Sequence, residues 1–390
     1  MTTTTFIHTS DLQLGMRRKF LRPEAQSRFD DARLRAVERV GELAVERGAV
    51  FIVVAGDVFE HNSLESSTFG RAKEVLRALP VPVYLLPGNH DPLVADSILA
   101  RAAEVDGVHV IADSEPVEVA EGVELIGAPL LAKHAAEDLC ARAVRGLEPA
   151  ESIRVLVGHG AVEGFGEEDT ASVIDIGALE PLLGNGTLDY VALGDTHSTH
   201  SLGPTGRIWY SGSPETTDYL ERGAGSGSSA AGGEVDSGNA LVVTVDKQGT
   251  NSAVEVEKVA TGSWAFEARS WEVADATDVD ALLAELREYP AKDRTVIKYA
   301  LTGTLGLEAT GTLQRELEAL EPVFAALYPR ERLMSLHLEP SADEMENLPL
   351  TGYAREAMRE LVELAAAPGE GTEAAKDAVN LLFRLSKEAH

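Results

Sequence analysis

Cysteine, basic residues and long apolar runs are all scarce in this 390-residue sequence. Its one cysteine, Cys140, excludes a disulfide framework or a cysteine-built zinc site and favours a reducing compartment. No stretch of about 18 uninterrupted apolar residues predicts a membrane span. The N-terminus also lacks the basic and then apolar pattern of a signal peptide. We therefore expect a cytoplasmic protein with no membrane partner.

Basic residues are outnumbered, because 34 Lys and Arg stand against 64 Asp and Glu, which gives a net charge of -30. The averaged field of such a chain repels a polyanion, which argues against a simple nucleic-acid-binding protein. A nuclease is still allowed, since metal ions and a few local basic residues can offset the repulsion where a phosphate binds.

The first two hundred residues read as an α/β layered domain. Hydrophobic residues make up 44% of the chain, enough for a sizeable core, and short apolar runs alternate with helical patterns from residue 4 to about 200. A helix is expected from about Glu24 to Arg47, where apolar residues recur on one face. Buried strands are predicted at residues 6–8, 50–55, 81–86, 154–157 and 190–193.

The amino-acid composition changes after residue 220. The stretch GAGSGSSAAGGEVDSG, residues 223–238, is rich in Gly and Ser and predicts a mobile loop. Strands at 240–245 and 253–259 are expected to complete the sheets of the first domain.

The last third of the chain predicts a separate α+β unit and two terminal helices. Strands at 266–273, 295–302 and 332–338 alternate with helices at 279–288 and 309–327. The terminal helices begin at about residue 351 and are broken by Pro368-Gly369. The second is so apolar that it must be covered, either by its own chain or by a partner. The predicted domains are residues 1–262, 263–345 and 351–390.

Five short motifs each follow a predicted strand and bring oxygen and nitrogen ligands to one sheet edge, where ligand sites form. One Asp or His after a strand is usually a turn former or a helix cap, but five in series indicate a metal site. Their glycines let the backbone turn tightly off the strand. The motifs are Asp11-Leu12-Gln13, Gly56-Asp57-Val58-Phe59, Gly88-Asn89-His90-Asp91, Gly158-His159-Gly160 and Gly194-Asp195-Thr196-His197.

This ordered series resembles the motif set of the calcineurin-like metallophosphoesterases, and the Gly88 to Asp91 motif is its most specific member. The opening Phe6 to Gly15 and the segment Tyr210 to Glu215 look like the DNA-repair exonuclease branch, which includes bacterial SbcD. The resemblance covers about residues 4–215. It implies an α/β fold, a calcineurin-like β-sandwich flanked by helices, with a small α+β cap domain and C-terminal helices.

The resemblance also implies two divalent metal ions, which neutralise the phosphate charge and activate a water. Asp57 would bridge the ions, and His90 would protonate the leaving alkoxide. The first ion would be held by Asp11, Gln13, Asp57 and His197, and the second by Asp57, Asn89, His159 and Asp195.

Three positions depart from the family pattern. Gln13 stands where the first motif usually has His, and an amide oxygen is a poorer donor, so the site is either weakened or retuned. Asp195 replaces the first His of the last motif. A harder, oxygen-rich set favours Mn, Mg or Fe over zinc, and we expect Mn. Glu60 stands where the repair nucleases often carry a His, a role that His61 is a candidate to take. His8 lies before the first motif, points to the opposite face of the strand from Thr9 and is expected to be structural.

A basic run, Arg17, Arg18, Lys19 and Arg22, follows the first motif. Beside a metal centre these side chains suit binding of a phosphate backbone, although an ordinary solvated loop is the alternative.

The sequence therefore predicts a metal-dependent phosphodiesterase, an exonuclease acting on DNA in repair. The SbcD resemblance implies a partner, an SMC-like ATPase of the SbcC kind, bound by the C-terminal helices, and it allows a homodimer. Two alternatives stay open, a phosphodiesterase of small molecules and a catalytically degenerate scaffold. The polarity of cleavage, exonuclease or endonuclease action, and the native metal do not follow from the sequence.

Overall fold

Residues 1–265 alternate strands and helices, and in a computed structural model these build two sheets with helices on their outer faces. The structure describes residues 1–162, 173–221, 234–341, 344, 348, 350–367, 369 and 371–388. The chain divides into two compact units. The first comprises Met1–Lys19, Gln26–Leu220 and Gly232–Ala265, and the second comprises Phe20–Ala25, Glu221–Ala231 and Phe266–His390. The sequence prediction instead separated a cap at 263–345 from terminal helices at 351–390.

The strands are β1 (Thr2–Thr9), β2 (Ile52–Val54), β3 (Val83–Leu85), β4 (Val108–Val110), β5 (Val117–Ala120), β6 (Val123–Gly127), β7 (Ile153–His159), β8 (Tyr190–Gly194), β9 (His200–Leu202), β10 (Ile208–Tyr210), β11 (Leu220–Glu221), β12 (Asn239–Gln248), β13 (Asn251–Ala260), β14 (Ala265–Val273), β15 (Thr295–Leu305), β16 (Ala326–Pro329) and β17 (Ser335–Leu338). The helices are α1 (Pro23–Arg47), α2 (Ser66–Arg77), α3 (Ile98–Ala102), α4 (Leu139–Ala143), α5 (Ile176–Gly184), α6 (Ala276–Glu288), α7 (Leu307–Leu320), α8 (Tyr353–Ala366) and α9 (Thr372–Glu388). Short 3-10 turns occur at Lys292–Arg294, Glu321–Val323 and Glu331–Leu333.

Two six-stranded sheets form the first unit. Their strand orders are β13-β12-β1-β2-β3-β4 and β5-β6-β7-β8-β10-β9. Strands β1 to β4 run parallel, as do β6, β7, β8 and β10. Antiparallel strands close the edges, and β12 and β13 join the first sheet next to β1, as the sequence predicted.

Side-chain alternation along the strands fills three apolar layers. Phe6 and Val53 point into the core between the sheets, whereas their neighbours Ile7 and Ile52 face the layer shared with the residues of α1 and α2. A third layer lies between the second sheet and helices α4 and α5. The predicted fold class, an α/β sandwich flanked by helices, is confirmed.

Helix α1 shows how local signals set the limits of an element. Pro23 occupies its first position and Glu24 its first turn, both favoured at helix N-termini. Gly48 follows its last residue with a φ of +63°, the left-handed conformation that ends many helices. The prediction of residues 24–47 is therefore confirmed within one residue.

The second unit contains a five-stranded sheet with the order β11-β14-β15-β16, in which β17 also pairs with β15. Leucines of α6 and α7 share its core. The predicted helix at 309–327 is wrong beyond Leu320. Pro322 lacks an N–H and cannot continue a helix, so a 3-10 turn follows and Ala326–Pro329 forms β16. The predicted strand at 332–338 is shorter and begins at Ser335.

The terminal helices share an apolar cluster with the rest of the second unit. Met358 and Val379 are fully buried there together with Leu307 and Leu338, so these helices use their own chain to cover one face. Leu364 and Leu385 stay exposed. Within the described part of the chain, no helix is long and apolar enough to cross a membrane.

The predicted mobile loop at 223–238 lies mostly outside the described residues. Its last five residues are described, and Glu234 among them is buried, with 8% exposure.

A buried ion pair lies inside the first unit. The Lys247 ammonium on β12 donates to the Asp189 carboxylate at 2.8 Å and to the Ser152 carbonyl at 2.7 Å. Both charged side chains are fully buried. Because the protein interior solvates ions poorly, each charge depends on the other to remain there.

We expect Lys247→Met to lower the free energy of unfolding by about 3–5 kcal/mol, since it leaves the Asp189 carboxylate buried and unpaired. Adding Asp189→Leu should recover part of that loss. The matched control is Lys258→Met, which breaks a half-exposed pair with Asp236 and should cost under about 1 kcal/mol. Urea titration measures all three. Equal losses for Lys247→Met and Lys258→Met would contradict the prediction.

Candidate metal centre

The predicted ligands stand on loops at the carboxyl ends of the central parallel strands. Asp11, Asp57 and Asn89 follow β1, β2 and β3 of the first sheet, whereas His159 ends β7 and Asp195 follows β8 of the second. Backbone hydrogen bonds join the first two loops. Asp11 N donates to Gly56 O at 3.0 Å, and Gln13 N donates to Asp57 O at 2.9 Å.

Left-handed backbone is concentrated at this edge. Five non-glycine residues of the described chain have a positive φ, and four of them are predicted ligands. Each such residue costs on the order of 1–3 kcal/mol and persists where the surrounding structure enforces it, most often at functional sites. The four are Asp11 at 53°, Gln13 at 40°, Asp57 at 54° and Asp195 at 108°.

Two motif glycines are required for space. A Cβ on Gly88 would lie 2.1 Å from Asp57 Oδ1, and one on Gly56 would lie 2.1 Å from His159 Nδ1. Gly56 also has a φ of +94°, so it is the one of the pair that needs glycine's conformational freedom. Gly88 is required only because its backbone lies so close to the Asp57 side chain.

The second predicted ligand set surrounds His159. Its Nε2 lies 3.2 Å from Asn89 Oδ1, 3.4 Å from Asp57 Oδ1 and 3.6 Å from Asp195 Oδ1. Its Nδ1 donates to the Ala55 carbonyl at 2.8 Å. A hydrogen bond at Nδ1 fixes the ring, as in histidines that bind a metal through Nε2.

The first predicted set is assembled around Gln13. Its Nε2 lies 3.0 Å from His197 Nε2, and that nitrogen lies 4.0 Å from Asp11 Oδ1. Gln13 Oε1 is buried and has no hydrogen-bond partner. A buried acceptor without a partner is the atom that a cation would satisfy.

The donors therefore fit divalent metals. Asp11, Asp57 and His159 offer ligand atoms within 4.8 Å of one another, and these three residues join the two predicted sets. Carboxylate, amide and imidazole groups are all common ligands of divalent metal ions in proteins.

Opposed charges stabilise this cluster. Burial, helped by the Asp57 charge, raises the pKa of Asp11 against the pull of His197 and His159. Burial also works to raise the pKa of Asp57, but His159 and His90 together outweigh it and lower that pKa. Burial works to lower the pKa of His159, and the carboxylates of Asp57, Asp11 and Asp195 together outweigh it and raise that pKa. Attraction between this imidazole and the carboxylates therefore opposes the cost of burying them.

Glu234 is a site residue that the sequence analysis missed. The His197 imidazole donates from Nδ1 to Glu234 Oε1 at 3.0 Å, and Thr217 N donates to Glu234 Oε2 at 3.0 Å. A carboxylate on the far nitrogen orients an imidazole and raises its basicity. One Glu within a Gly- and Ser-rich stretch carries no pattern that would predict this contact.

Arg33 holds the loop of the first motif through a backbone carbonyl. It is buried on α1, and its Nη2 donates to the carbonyl of Leu12, the residue between Asp11 and Gln13. Burial lowers its pKa to about 10. A sequence signal existed, because a charged residue stands four positions after Phe29 on the apolar face of the predicted helix.

Asp91, quoted in the third motif without a role, holds two ligand loops together. Its carboxylate accepts hydrogen bonds from Phe59 N and Gly88 N, both at 2.9 Å. Burial, with the charge of Asp57, raises its pKa to about 7.

His90 faces the cluster from its exposed side. Its Nδ1 donates to the Glu60 carbonyl at 3.0 Å, and its Nε2 lies 4.0 Å from Asp57 Oδ2. The side chain is 39% exposed, so a substrate oxygen can reach it. His61 is also exposed, but its Nδ1 accepts a local hydrogen bond from Ser63 N, and the structure does not bring it to the ligands.

His8 is structural, as the sequence predicted. It is fully buried between the Tyr190 hydroxyl at 3.0 Å and the Leu193 carbonyl at 3.2 Å. Burial lowers its pKa to about 3, so it stays neutral.

The basic run is divided in the structure. Arg17 and Lys19 are exposed. Arg18 donates to the Thr217 carbonyl, and Arg22 donates to the Phe324 carbonyl at 3.2 Å. Two of the four predicted substrate-binding residues therefore have structural partners, which leaves Arg17 and Lys19 as the better candidates.

Known proteins resemble parts of this chain. The family profile described as calcineurin-like phosphoesterase matches residues 4–199. Over 95 residues the chain is 37% identical to the DNA double-strand break repair protein Mre11 of Archaeoglobus fulgidus, a match that covers 23% of this chain and 20% of that relative. A dimetal phosphatase structure from Danio rerio aligns over 66% of this chain and 99% of its own, with 10% identity and a TM-score of 0.37.

We expect Asp57→Ala to abolish hydrolysis of phosphodiesters and to reduce the bound metal, because it removes ligands from both predicted ions. Elemental analysis of the protein after loading with Mn gives the metal content, and turnover is measured on the same sample. Asp96→Ala, at an exposed carboxylate, is the control and should match the unmodified protein. Retained activity in Asp57→Ala would rule out the two-metal assignment.

Proposed function

Because the chain belongs to the calcineurin-like phosphoesterases, a family of metal-dependent phosphoester hydrolases, we propose that it is a two-metal phosphodiesterase that acts on DNA as a repair exonuclease. The observation that carries the hydrolase activity is the meeting of both ligand sets at the buried Asp57. The DNA substrate has narrower support, namely the similarity of 95 residues to an archaeal Mre11.

Two other functions have less support. A degenerate scaffold would have no reason to keep Gln13 turned toward His197 with a buried, unpaired oxygen, nor four ligands in left-handed backbone. A small-molecule phosphodiesterase is favoured by one feature, the net charge of -30, which repels long polyanions. The substrate tests below separate it from a nuclease.

The chain's own residues divide the work of the reaction. When bound, two divalent ions supply charge neutralisation and an activated water. Asp57, Asp11 and His159 would hold them, and the left-handed backbone fixes the direction of the two aspartates. His90 is anchored at Nδ1 by the Glu60 carbonyl, so its exposed Nε2 is the atom that can deliver a proton to the leaving oxygen.

His90→Ala should slow hydrolysis of DNA by about 100-fold or more, because its alkoxide leaving group needs a proton. An aryl phosphodiester leaves as a stable phenolate and should lose much less. Initial rates on both substrates, at equal metal content, test this. Equal losses on the two substrates would contradict a role as general acid.

We propose Mn, with Mg or Fe as alternatives, over zinc, because Gln13 and Asp195 make the donor set rich in oxygen. Titrating the metal-free protein with each ion should show better turnover with Mn, Mg or Fe than with zinc. Gln13→His should tighten the first site and shift the preference toward zinc. Tightest activation of the unmodified protein by zinc would contradict the proposal.

The charge reversal Arg17→Glu with Lys19→Glu should reduce activity on linear DNA and spare an aryl phosphodiester, if these side chains bind the phosphate backbone. A plot of the logarithm of the DNA-binding constant against the logarithm of the salt concentration should become less steep. Its slope should change by roughly 0.9 for each phosphate that is no longer neutralised. Arg71→Glu with Arg145→Glu, at exposed positions elsewhere on the same unit, changes the net charge equally and is the control. If both substrates suffer alike, or if the unmodified protein cleaves only the aryl diester, the DNA proposal fails.

A further inference from the structure

The loop after β6 lies beside the predicted ligands of the second metal. Its Leu130 is buried and tied to the stretch that carries Asn89. Leu130 N donates to Pro87 O at 3.3 Å, and Leu93 N donates to Leu130 O at 2.9 Å. Lys133 and His134 follow within four residues, and both are exposed. Anchoring at Leu130 thus keeps these two side chains near Asn89.

Lys133 and His134 line a cleft together with Asn89, His159 and Asp195, and its volume is about 150 Å³. Of the five, the last three are predicted metal ligands. A larger cavity of about 450 Å³ lies in the second unit, but Glu318, Glu321 and Asp377 line it, and such an acidic lining repels a phosphate. The smaller cleft is therefore the one suited to the proposed substrate.

This cleft has a basic side chain in its lining, although the protein as a whole is strongly acidic. Lys133 is the one lysine or arginine among the described residues that line the cleft, in a protein of net charge -30. An ammonium offers three donors and is a common binder of phosphate oxygens. The His134 imidazole adds another donor. Together they can hold oxygens that the metal ions leave uncovered.

The size of the cleft restricts what it can enclose. Pockets that bury most of a drug-sized ligand measure about 300–1,000 Å³. At about 150 Å³ this cleft is smaller than such pockets, and it has room for a phosphate group.

We propose that Lys133, assisted by His134, binds the non-bridging oxygens of the reacting phosphate. The inference rests on the proposed function, since it assigns part of the substrate site of that reaction. It differs from the role of Arg17 and Lys19, because contact with the reacting phosphate affects every phosphodiester, whatever its length.

The test compares Lys133→Ala, His134→Ala and Lys133→Arg with the unmodified protein, all loaded with Mn. Calorimetric titration with inorganic phosphate gives Kd, and KM is measured on an aryl phosphodiester and on a single-stranded oligonucleotide. Loss of a charged hydrogen bond should raise Kd and both KM values by about 10- to 100-fold in Lys133→Ala. His134→Ala should lose less, and Lys133→Arg should keep most of the affinity. Metal content should not change.

Arg71→Ala is the control, since Arg71 is exposed and outside the cleft lining. If Lys133→Ala matches the unmodified protein on both substrates and on phosphate, the inference is wrong while the proposed function stands. A loss confined to the oligonucleotide, or to kcat, also overturns it. If the unmodified protein hydrolyses neither substrate, the proposed function fails, and the phosphate titration alone then decides the inference.

Discussion

The mutual repulsion of two buried carboxylates, Asp11 and Asp57, determines what the residues around them must supply. Neither can be solvated by water, so the chain must supply the compensation. Backbone N–H groups of Asp195 and His90 donate to them, and His159 Nε2 lies 3.4 Å from Asp57 Oδ1. The left-handed backbone at both carboxylates is the conformational cost of aiming them at one point. Two cations would satisfy the same need more strongly, which explains why residues so unfavourable to burial meet there.

The convergence of Asp11, Asp57 and Asn89 could be predicted, because they follow parallel strands of one sheet and such strands end at one edge. The expectation that a single sheet edge carries all the ligands is wrong, since His159 and Asp195 come from the second sheet, and strand patterns do not show where two sheets meet. The contacts of Glu234 and Arg33 could not be predicted, because they depend on long-range packing that no local period encodes. The boundary at Leu320 could have been found, since Pro322 is a local signal that the helical pattern of residues 309–327 obscured. Lys247 shows the same limit, because an alternating strand pattern does not reveal a buried ammonium.

The acidity of the chain and its proposed substrate are compatible because electrostatic attraction acts locally. At physiological ionic strength, charges more than about 8 Å apart are largely screened at the surface. A phosphate at the cleft therefore responds mainly to the cations beside it, and the 64 acidic residues of the chain matter little to its binding where they lie farther away. They matter more to the approach of a long polyanion, whose other phosphates cross the acidic surface. Exposed cations such as Arg17 and Lys19 are well suited to ease that approach.

Cys140 is buried under Gly158, where an added Cβ would lie 2.3 Å from its sulfur. Burial raises the pKa of this thiol, and because the thiolate is the reactive form, alkylating reagents have little access to it. Cysteines introduced at exposed positions would then react with such reagents, whereas the native cysteine would not. One such cysteine in each compact unit would accept a pair of fluorophores, so the distance between the units could be followed in solution while the buried native cysteine stays in place.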